Sequence, residues 1–108
     1  MNMNSYNCCS DKTKESQRIL SQLDLIKLLA DKNRLQILCV LNTKRHSVGE
    51  LVTHLGVSQS LVSHHLISLK ELRLVTSIKI GRSVVYSLSK KGTQVSKLLK
   101  ILSNREER

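Results

Sequence analysis

The stretch from Leu51 to Leu72 constrains the fold more than any other part of the chain, because it has the pattern of two helices joined by a tight turn. Gly56 can end the first helix, since glycine readily adopts the left-handed backbone found at helix ends. Ser58 can cap the second helix by accepting a hydrogen bond from one of its free N–H groups. The pattern therefore predicts a helix-turn-helix unit.

The second helix of this unit has one apolar and one polar face. Val62, Leu66 and Leu69 recur at helical spacing and are predicted to face the core. The opposite face carries Gln59, Ser60, Ser63, His64 and Ile67. Such a short, mostly uncharged face suits contact with base edges in a DNA major groove. An amphipathic helix pair with a solvated polar face is the alternative.

A change of apolar period follows this helix. Two β-rich runs alternate in polarity, Val75 to Ile80 and Ser83 to Leu88. Gly81 and Arg82 between them predict the turn of a hairpin. Lys79 and Arg82 lie at or near its tip, where they can reach phosphates or a minor groove. Together the segments predict a winged helix-turn-helix, a mainly α fold with a β-hairpin wing.

The flanking segments are predicted to be helical. One helix is expected from Glu15 to Ala30, one from Lys32 to Leu41 with Asp31 as its cap, and one from Ser89 to about Leu102. The capping box Ser47-Val48-Gly49-Glu50 marks the start of the first helix of the helix-turn-helix. The first and last helices carry more apolar residues than one small core needs, which predicts a dimer interface.

The charge of the chain points to a polyanionic partner. Its 108 residues include 18 Lys and Arg against 8 Asp and Glu, a formal net charge of +10. No apolar run approaches the ~20 residues of a membrane span, and the N-terminus lacks the apolar core of a signal peptide. A cytoplasmic protein with reduced thiols is therefore expected. Residues 1–14 are predicted to form a flexible arm before a single domain over residues 15–103.

Two strings within this framework resemble the arsenical-resistance repressor (ArsR/SmtB) family. They are Leu29-Ala30-Asp31-Lys32-Asn33-Arg34-Leu35-Gln36-Ile37-Leu38 and Ser58-Gln59-Ser60-Leu61-Val62-Ser63-His64-His65-Leu66. The resemblance implies a homodimer that places two reading helices in successive major grooves of a palindromic operator. It also implies release from DNA when a metal ion, a metalloid or a reactive sulfur or oxygen species binds. Gln59, Ser60, Ser63 and His64 match the family positions expected to touch DNA.

The inducer site matches the family only in part. The family's Cys-x-Cys metal site corresponds to Ser47 and Gly49, and the last helix lacks the Asp and His of the other common site. Vicinal Cys8 and Cys9 are similar to the thiols of some arsenic-sensing members. They would bind trivalent arsenic, with Cys39 as a third soft ligand. No cofactor is expected to be required apart from such an inducer.

Cys39 has two further interpretations. Its position is similar to that of a cysteine in the persulfide- and redox-sensing branch of the family. That branch pairs it with a second cysteine near the end of the last helix, and residues 100–108 contain none. Because Cys39 shares a predicted face with Leu35 and Leu38, the sequence favours a small buried core residue.

Other classes of function fit the chain less well. A thiol oxidoreductase needs Cys-x-x-Cys near a βαβ pattern, and neither is present. A protein-interaction winged helix explains the apolar first and last helices but not the net charge or the polar face from Ser58 to Ile67. The absence of Phe and Trp argues against stacking on single-stranded nucleic acid. The sequence therefore predicts a double-stranded DNA-binding repressor, not an enzyme, released by a thiol-reactive inducer.

Overall fold

The computed structural model describes residues 14–103, which form a winged helix-turn-helix. Over this range the elements follow in the order α1 (Lys14–Leu20), α2 (Leu23–Leu29), α3 (Lys32–Leu41), β1 (His46–Ser47), α4 (Val48–Leu55), α5 (Gln59–Glu71), β2 (Val75–Ile80), β3 (Ser83–Leu88) and α6 (Lys90–Ser103). The strands form one antiparallel sheet in the order β1-β3-β2. The predicted fold class is confirmed, and α3, β2 and β3 have the predicted bounds.

The prediction of one helix from Glu15 to Ala30 is wrong, because the chain breaks between α1 and α2. The hydroxyl of Ser21 donates to the Arg18 carbonyl at 2.7 Å. The backbone N–H of Gln22 bonds the Ile19 carbonyl at 3.0 Å, one residue closer than in an α-helix. The apolar period continues across the break, so the sequence pattern does not reveal it. The predicted arm lies outside the described residues except for Lys14, which begins α1.

The core lies between α3, α4, α5 and the base of the hairpin. Among the described residues its buried hydrophobic members are Ile37, Leu38, Leu41, Leu51, Val62, Leu66, Leu69, Leu74 and Val75. Val62, Leu66 and Leu69 were predicted to face the core, and each is 0% exposed. Each such side chain stabilises the fold by about 1.5–3 kcal/mol. The apolar face of α5 therefore fixes which of its residues point outward.

The ends of α4 and α5 are fixed as the sequence predicts. Ser47 and Glu50 form the capping box: the Ser47 hydroxyl accepts from the Glu50 N–H at 3.2 Å, and the Glu50 carboxylate accepts from the Ser47 N–H at 2.8 Å. Gly56 ends α4 in the left-handed conformation, with φ 70°. Ser58 caps α5 by accepting from the Leu61 N–H at 3.1 Å. Local side-chain chemistry thus sets the turn between the two helices.

The far end of α5 is anchored to the hairpin and to α6. Arg73 adopts a left-handed φ of 62°, and the Leu74 N–H bonds the Leu69 carbonyl at 3.0 Å, which closes the helix. Ser89 donates its hydroxyl to the Arg73 carbonyl at 2.5 Å and accepts from the Gly92 N–H at 3.0 Å. A Cβ added to Gly92 would lie 2.0 Å from the Leu74 carbonyl oxygen, so glycine allows α6 to approach this closely.

The first and last helices leave apolar side chains in solvent. These are Ile19, Leu20, Leu23, Ile26, Leu98, Ile101 and Leu102, each between 46% and 67% exposed. No residue of α2 is buried, and the only buried residues of α6 are Gly92 and Ser96. Exposed apolar side chains concentrated on the same helices are typical of a protein–protein contact. Over residues 14–103 no helix is long and apolar enough to cross a membrane.

Candidate nucleic-acid interface

The outer face of α5 gathers the residues proposed to read DNA. Gln59, Ser60, His64 and Ile67 are exposed, and Ser63 is half-buried. At about 100° of rotation per residue, Ser60, Ser63, His64 and Ile67 fall within an arc of about 100°, while Gln59 lies at the start of the helix. This arc is opposite the buried face formed by Val62, Leu66 and Leu69. The polar face that the sequence predicts is thus a single continuous surface.

Ser58 lies directly before α5, at the N-terminal end of this surface. Its hydroxyl oxygen is used to cap α5, but a hydroxyl that accepts one bond still has a proton to donate. The N-terminal end of a helix also favours negative charge. These two properties suit contact with a phosphate rather than with a base.

The adjacent histidines of α5 have opposite environments. His64 is exposed on the outer face, whereas His65 is 5% exposed. The Nδ1 of His65 lies 3.4 Å from Arg34 Nη1, and its Nε2 lies 3.8 Å from Asp31 Oδ1. Asp31 also caps α3, as predicted, by accepting from the Arg34 N–H at 3.1 Å. His65 therefore connects the outer helix of the unit to the start of α3, a link that sequence reasoning missed.

Burial determines the charge state of this link. Desolvation lowers the pKa of His65. The negative charge of Asp31 raises this pKa, whereas the positive charge of Arg34 lowers it further. The hydrogen bond from the Arg34 N–H is the largest cause that lowers the pKa of Asp31. A neutral imidazole can accept at Nδ1 from the guanidinium, which has only donors. At neutral pH the arrangement is a neutral His65 between a cation and an anion.

The wing lies beside the N-terminal ends of α4 and α5. Lys79 and Arg82 are exposed, and Gly81 makes the turn with φ 61°. A cavity of about 360 Å³ is lined by Gln59 of α5, by Arg82, Ser83 and Val84 of the wing, and by Ser47, Val48 and Gly49. The structure therefore brings Gln59 and Arg82 to one surface. Lys70 Nζ of α5 donates to the Ser77 hydroxyl of β2 at 2.7 Å, which ties the wing to α5.

The prediction that Cys39 is a core residue is wrong. The thiol is exposed and lines a cavity of about 280 Å³ between α3 and α6. Leu38, Asn42, Ser96, Leu99, Lys100 and Ser103 complete the lining. The buried stripe of α3 runs through Ile37, Leu38 and Leu41, whereas Leu35 is only half-buried. The stripe is rotated from the predicted one, and this rotation turns Cys39 out of the core.

The other proposed inducer ligands, Cys8 and Cys9, lie outside the described residues. Within residues 14–103 no three His, Cys, Asp or Glu side chains are placed to hold a metal ion. His54 is exposed and contacts the buried His46 edge to face, with ring centroids 5.1 Å apart. The short strand β1 that holds His46 was not predicted, because it forms only by pairing with β3.

A polar-faced helix after a tight turn, with a basic hairpin beside it, defines the class of winged helix-turn-helix DNA-binding proteins. Comparison with known proteins identifies the family within this class. The sequence profile described as "Bacterial regulatory protein, arsR family" matches residues 31–77. The transcriptional activator HlyU of Vibrio cholerae serotype O1 is 42% identical over 78 residues, which cover 72% of this chain and 70% of HlyU.

A second relative and a solved structure are similar to the chain as well. The arsenical resistance operon repressor of Staphylococcus xylosus is 37% identical over 65 residues, 60% of this chain and 62% of the repressor. The structure of reduced HlyU from Vibrio cholerae N16961 aligns with a TM-score of 0.75 at 35% identity, covering 89% of this chain and 100% of that chain. The chain belongs to the arsR family of bacterial regulatory proteins. It is a DNA-binding transcriptional regulator, and the proteins of this class are not enzymes.

Proposed function

We propose that this protein is a homodimeric repressor that binds a palindromic double-stranded operator and is released by a thiol-reactive inducer. The observation that carries the proposal is the continuous polar face of α5 beside the basic wing. Gln59, Ser60, Ser63 and His64 contact base edges, whereas Ser58, Lys79 and Arg82 contact the backbone. The net charge of +10 supplies the attraction to phosphates.

The exposed apolar side chains of α1, α2 and α6 support the dimer. A second protomer covers them, and the pair presents two copies of α5 to DNA. Two reading helices about 34 Å apart match half-sites one helical turn apart. A palindromic operator follows from the two-fold symmetry of such a pair.

The DNA-binding part is tested by selecting binding sites from random duplexes with the purified full chain. Selection should enrich a palindrome, and its affinity should exceed that of random DNA by at least about a thousandfold. Ser63→Ala should lower operator affinity about tenfold or more while leaving random DNA nearly unaffected. Gln36→Ala, on the exposed side of α3, is the control and should change neither affinity. A failure to enrich any sequence would overturn the proposal.

The cavity at Cys39 supports a thiol as the target of the inducer. Cys39 lies on α3, which packs beneath α5, and the cavity is shared with α6, which belongs to the proposed dimer surface. A group attached to the thiol therefore occupies the space between α3 and α6 and changes the contacts of these two helices. Lys100 lines the same cavity, and its ammonium group suits an anionic sulfur adduct.

The arsenic interpretation rests on different residues. Adjacent Cys8 and Cys9 supply two soft ligands for trivalent arsenic, with Cys39 as the third. The name of the Staphylococcus xylosus relative favours this inducer, whereas the reduced state named for HlyU favours redox chemistry. The arsenic and redox schemes both use thiols but different cysteines, so cysteine variants distinguish them.

The test measures release from the selected operator by arsenite and by a persulfide donor. In the arsenic scheme, Cys8→Ser with Cys9→Ser abolishes release by arsenite and leaves DNA binding intact. In the redox scheme, Cys39→Ser alone abolishes release by the persulfide donor. Ser103→Ala, which changes the same cavity without removing a thiol, is the control for packing. If a variant that lacks all three cysteines is still released from the operator by these reagents, the inducer does not act on a thiol.

A further inference from the structure

Ile67 is an apolar residue on a polar surface. Its side chain is 57% exposed on the outer face of α5. Along α5, all of which the structure describes, it is the only large hydrophobic side chain that is exposed. Val62, Leu66 and Leu69 fix α5 to the core, His65 contacts α3, and Lys70 contacts the wing. None of these contacts involves Ile67.

The helical position of Ile67 places it among the proposed base contacts. At about 100° per residue it falls between Ser63 and His64 and about 20° from the direction of Ser60. At about 1.5 Å per residue it lies about 10 Å beyond Ser60 along the helix axis. A major groove about 12 Å wide can accommodate that length of helix. Glu71 follows one turn later on nearly the same face, and its carboxylate would repel phosphates, so the DNA contact ends near Ile67.

The groove offers one apolar group to such a side chain. Base edges in the major groove present hydrogen-bond donors and acceptors, together with the C5-methyl group of thymine. Covering Ile67 with a polar edge would desolvate that edge without replacing its hydrogen bonds. A thymine methyl avoids this cost and gains apolar burial.

We infer that Ile67 is a specificity-determining residue that packs against the C5-methyl group of a thymine in each operator half-site. The inference rests on the proposed function, since it requires α5 to lie in a major groove. Burial of one methyl-sized group against another shifts affinity by about fourfold, so two half-sites shift it by about tenfold or more.

The test removes the methyl group and the side chain separately. Each thymine of the selected operator is replaced in turn by uracil, which lacks only the C5-methyl group, in both half-sites. Affinity of the full chain is measured for the unaltered protein and for Ile67→Ala. Alanine keeps this exposed helical position well formed. Ile78→Ala is the matched control, because Ile78 is an isoleucine of similar exposure, 51%, on the wing.

One uracil position should weaken the unaltered protein and Ile78→Ala by about tenfold but leave Ile67→Ala unchanged. Selection from random duplexes with Ile67→Ala should also lose the preference for thymine at that position. Uracil effects that are equal in the unaltered protein and in Ile67→Ala would overturn the inference while leaving the proposed function standing. A selection that enriches no sequence with the unaltered protein would overturn both.

Discussion

His65 shows how one residue can set the position of the reading helix. It stands on α5 but faces Arg34 and Asp31 at the start of α3. Arg34 also donates from Nε to the Leu28 carbonyl at 2.9 Å, so the link reaches the end of α2. Burial keeps the imidazole neutral, and a neutral ring is the form that accepts from Arg34. The register of α5 against α3 therefore depends on a protonation state.

We expect stability to fall when His65 is protonated. Because the pKa of His65 is lowered in the folded protein, the unfolded chain binds more protons between that pKa and the ordinary value of about 6.5. The free energy of unfolding therefore decreases as pH falls below about 6.5 and is at its full value above it. Urea unfolding on both sides of this pH measures the change. The lowered pKa of Asp31 acts in a separate window, with stability lost as pH falls through about 4 and below.

Two variants isolate the contribution of His65. His65→Gln cannot be protonated, so the decrease near pH 6.5 should become smaller. His64→Gln removes only the smallest of the causes that lower the pKa of His65, so the decrease should persist in this variant with a slightly smaller size. A profile that is the same for His65→Gln and the unaltered protein would assign the pH dependence to other groups.

At the scale of elements, Gly92 of α6 packs closely against the backbone of Leu74, which precedes β2. Gly92→Ala would place a Cβ 2.0 Å from the Leu74 carbonyl oxygen, so α6 must move away. We expect the free energy of unfolding to fall by about 1–3 kcal/mol or more, as in other overpacked sites. Gly49→Ala is the matched control, because its Cβ would meet only Ser47 Oγ at 3.9 Å. That change lies within α4 and should be neutral or stabilise by about 0.5–1 kcal/mol. Equal effects of the two changes, measured by chemical denaturation, would contradict the packing argument.

The wing contributes charge rather than sequence reading. Arg82→Ala should weaken binding to all duplexes together and reduce the slope of log affinity against log salt by about one unit per lost phosphate contact. Lys97→Ala removes an equal charge from the exposed side of α6 and should leave the slope unchanged. Fluorescence anisotropy over a range of salt concentrations measures both. An unchanged slope in Arg82→Ala would leave the wing with a structural role only.

The elements that the sequence predicts correctly are those whose signals are local. The capping box at Ser47, the left-handed Gly56 and the turn at Gly81 each act within a few residues, and all three are observed. The break after α1, the strand β1 and the contact of Arg34 with His65 depend on other parts of the chain. Arg34 and His65 are 31 residues apart, and no periodicity relates them. Cys39 was misplaced for a related reason, since packing against α4 and α5 decides that Ile37, and not Leu35, joins Leu38 and Leu41 in the buried stripe of α3.

At the scale of the whole molecule, the exposed apolar surface and the reading surface belong to different elements of the fold. The first comprises α1, α2 and α6, and the second comprises the outer face of α5 and the wing. α3 lies between them, in contact with both α5 and α6. Cys39 lies on α3 with its thiol exposed in the cavity that α3 shares with α6. A ligand that favours one dimer geometry by about 3 kcal/mol would change operator affinity about a hundredfold.

The dimer itself can be tested at the apolar end of α6. Ile101 is 67% exposed, so Ile101→Glu leaves the folded protomer intact while placing a charge in the proposed interface. A buried unpaired carboxylate costs several kcal/mol, so the dimer should dissociate at micromolar concentration. Light scattering should give twice the chain mass for the unaltered protein and the chain mass for the variant. Ile78→Glu, a similar change on the wing, should remain dimeric.

Loss of the dimer should also weaken DNA binding. Because each monomer then binds a half-site alone, Ile101→Glu should lose most of its operator affinity while keeping weak binding to a single half-site. A variant that stays dimeric, or an unaltered protein that is monomeric, would place the apolar surface of α6 outside any protomer contact.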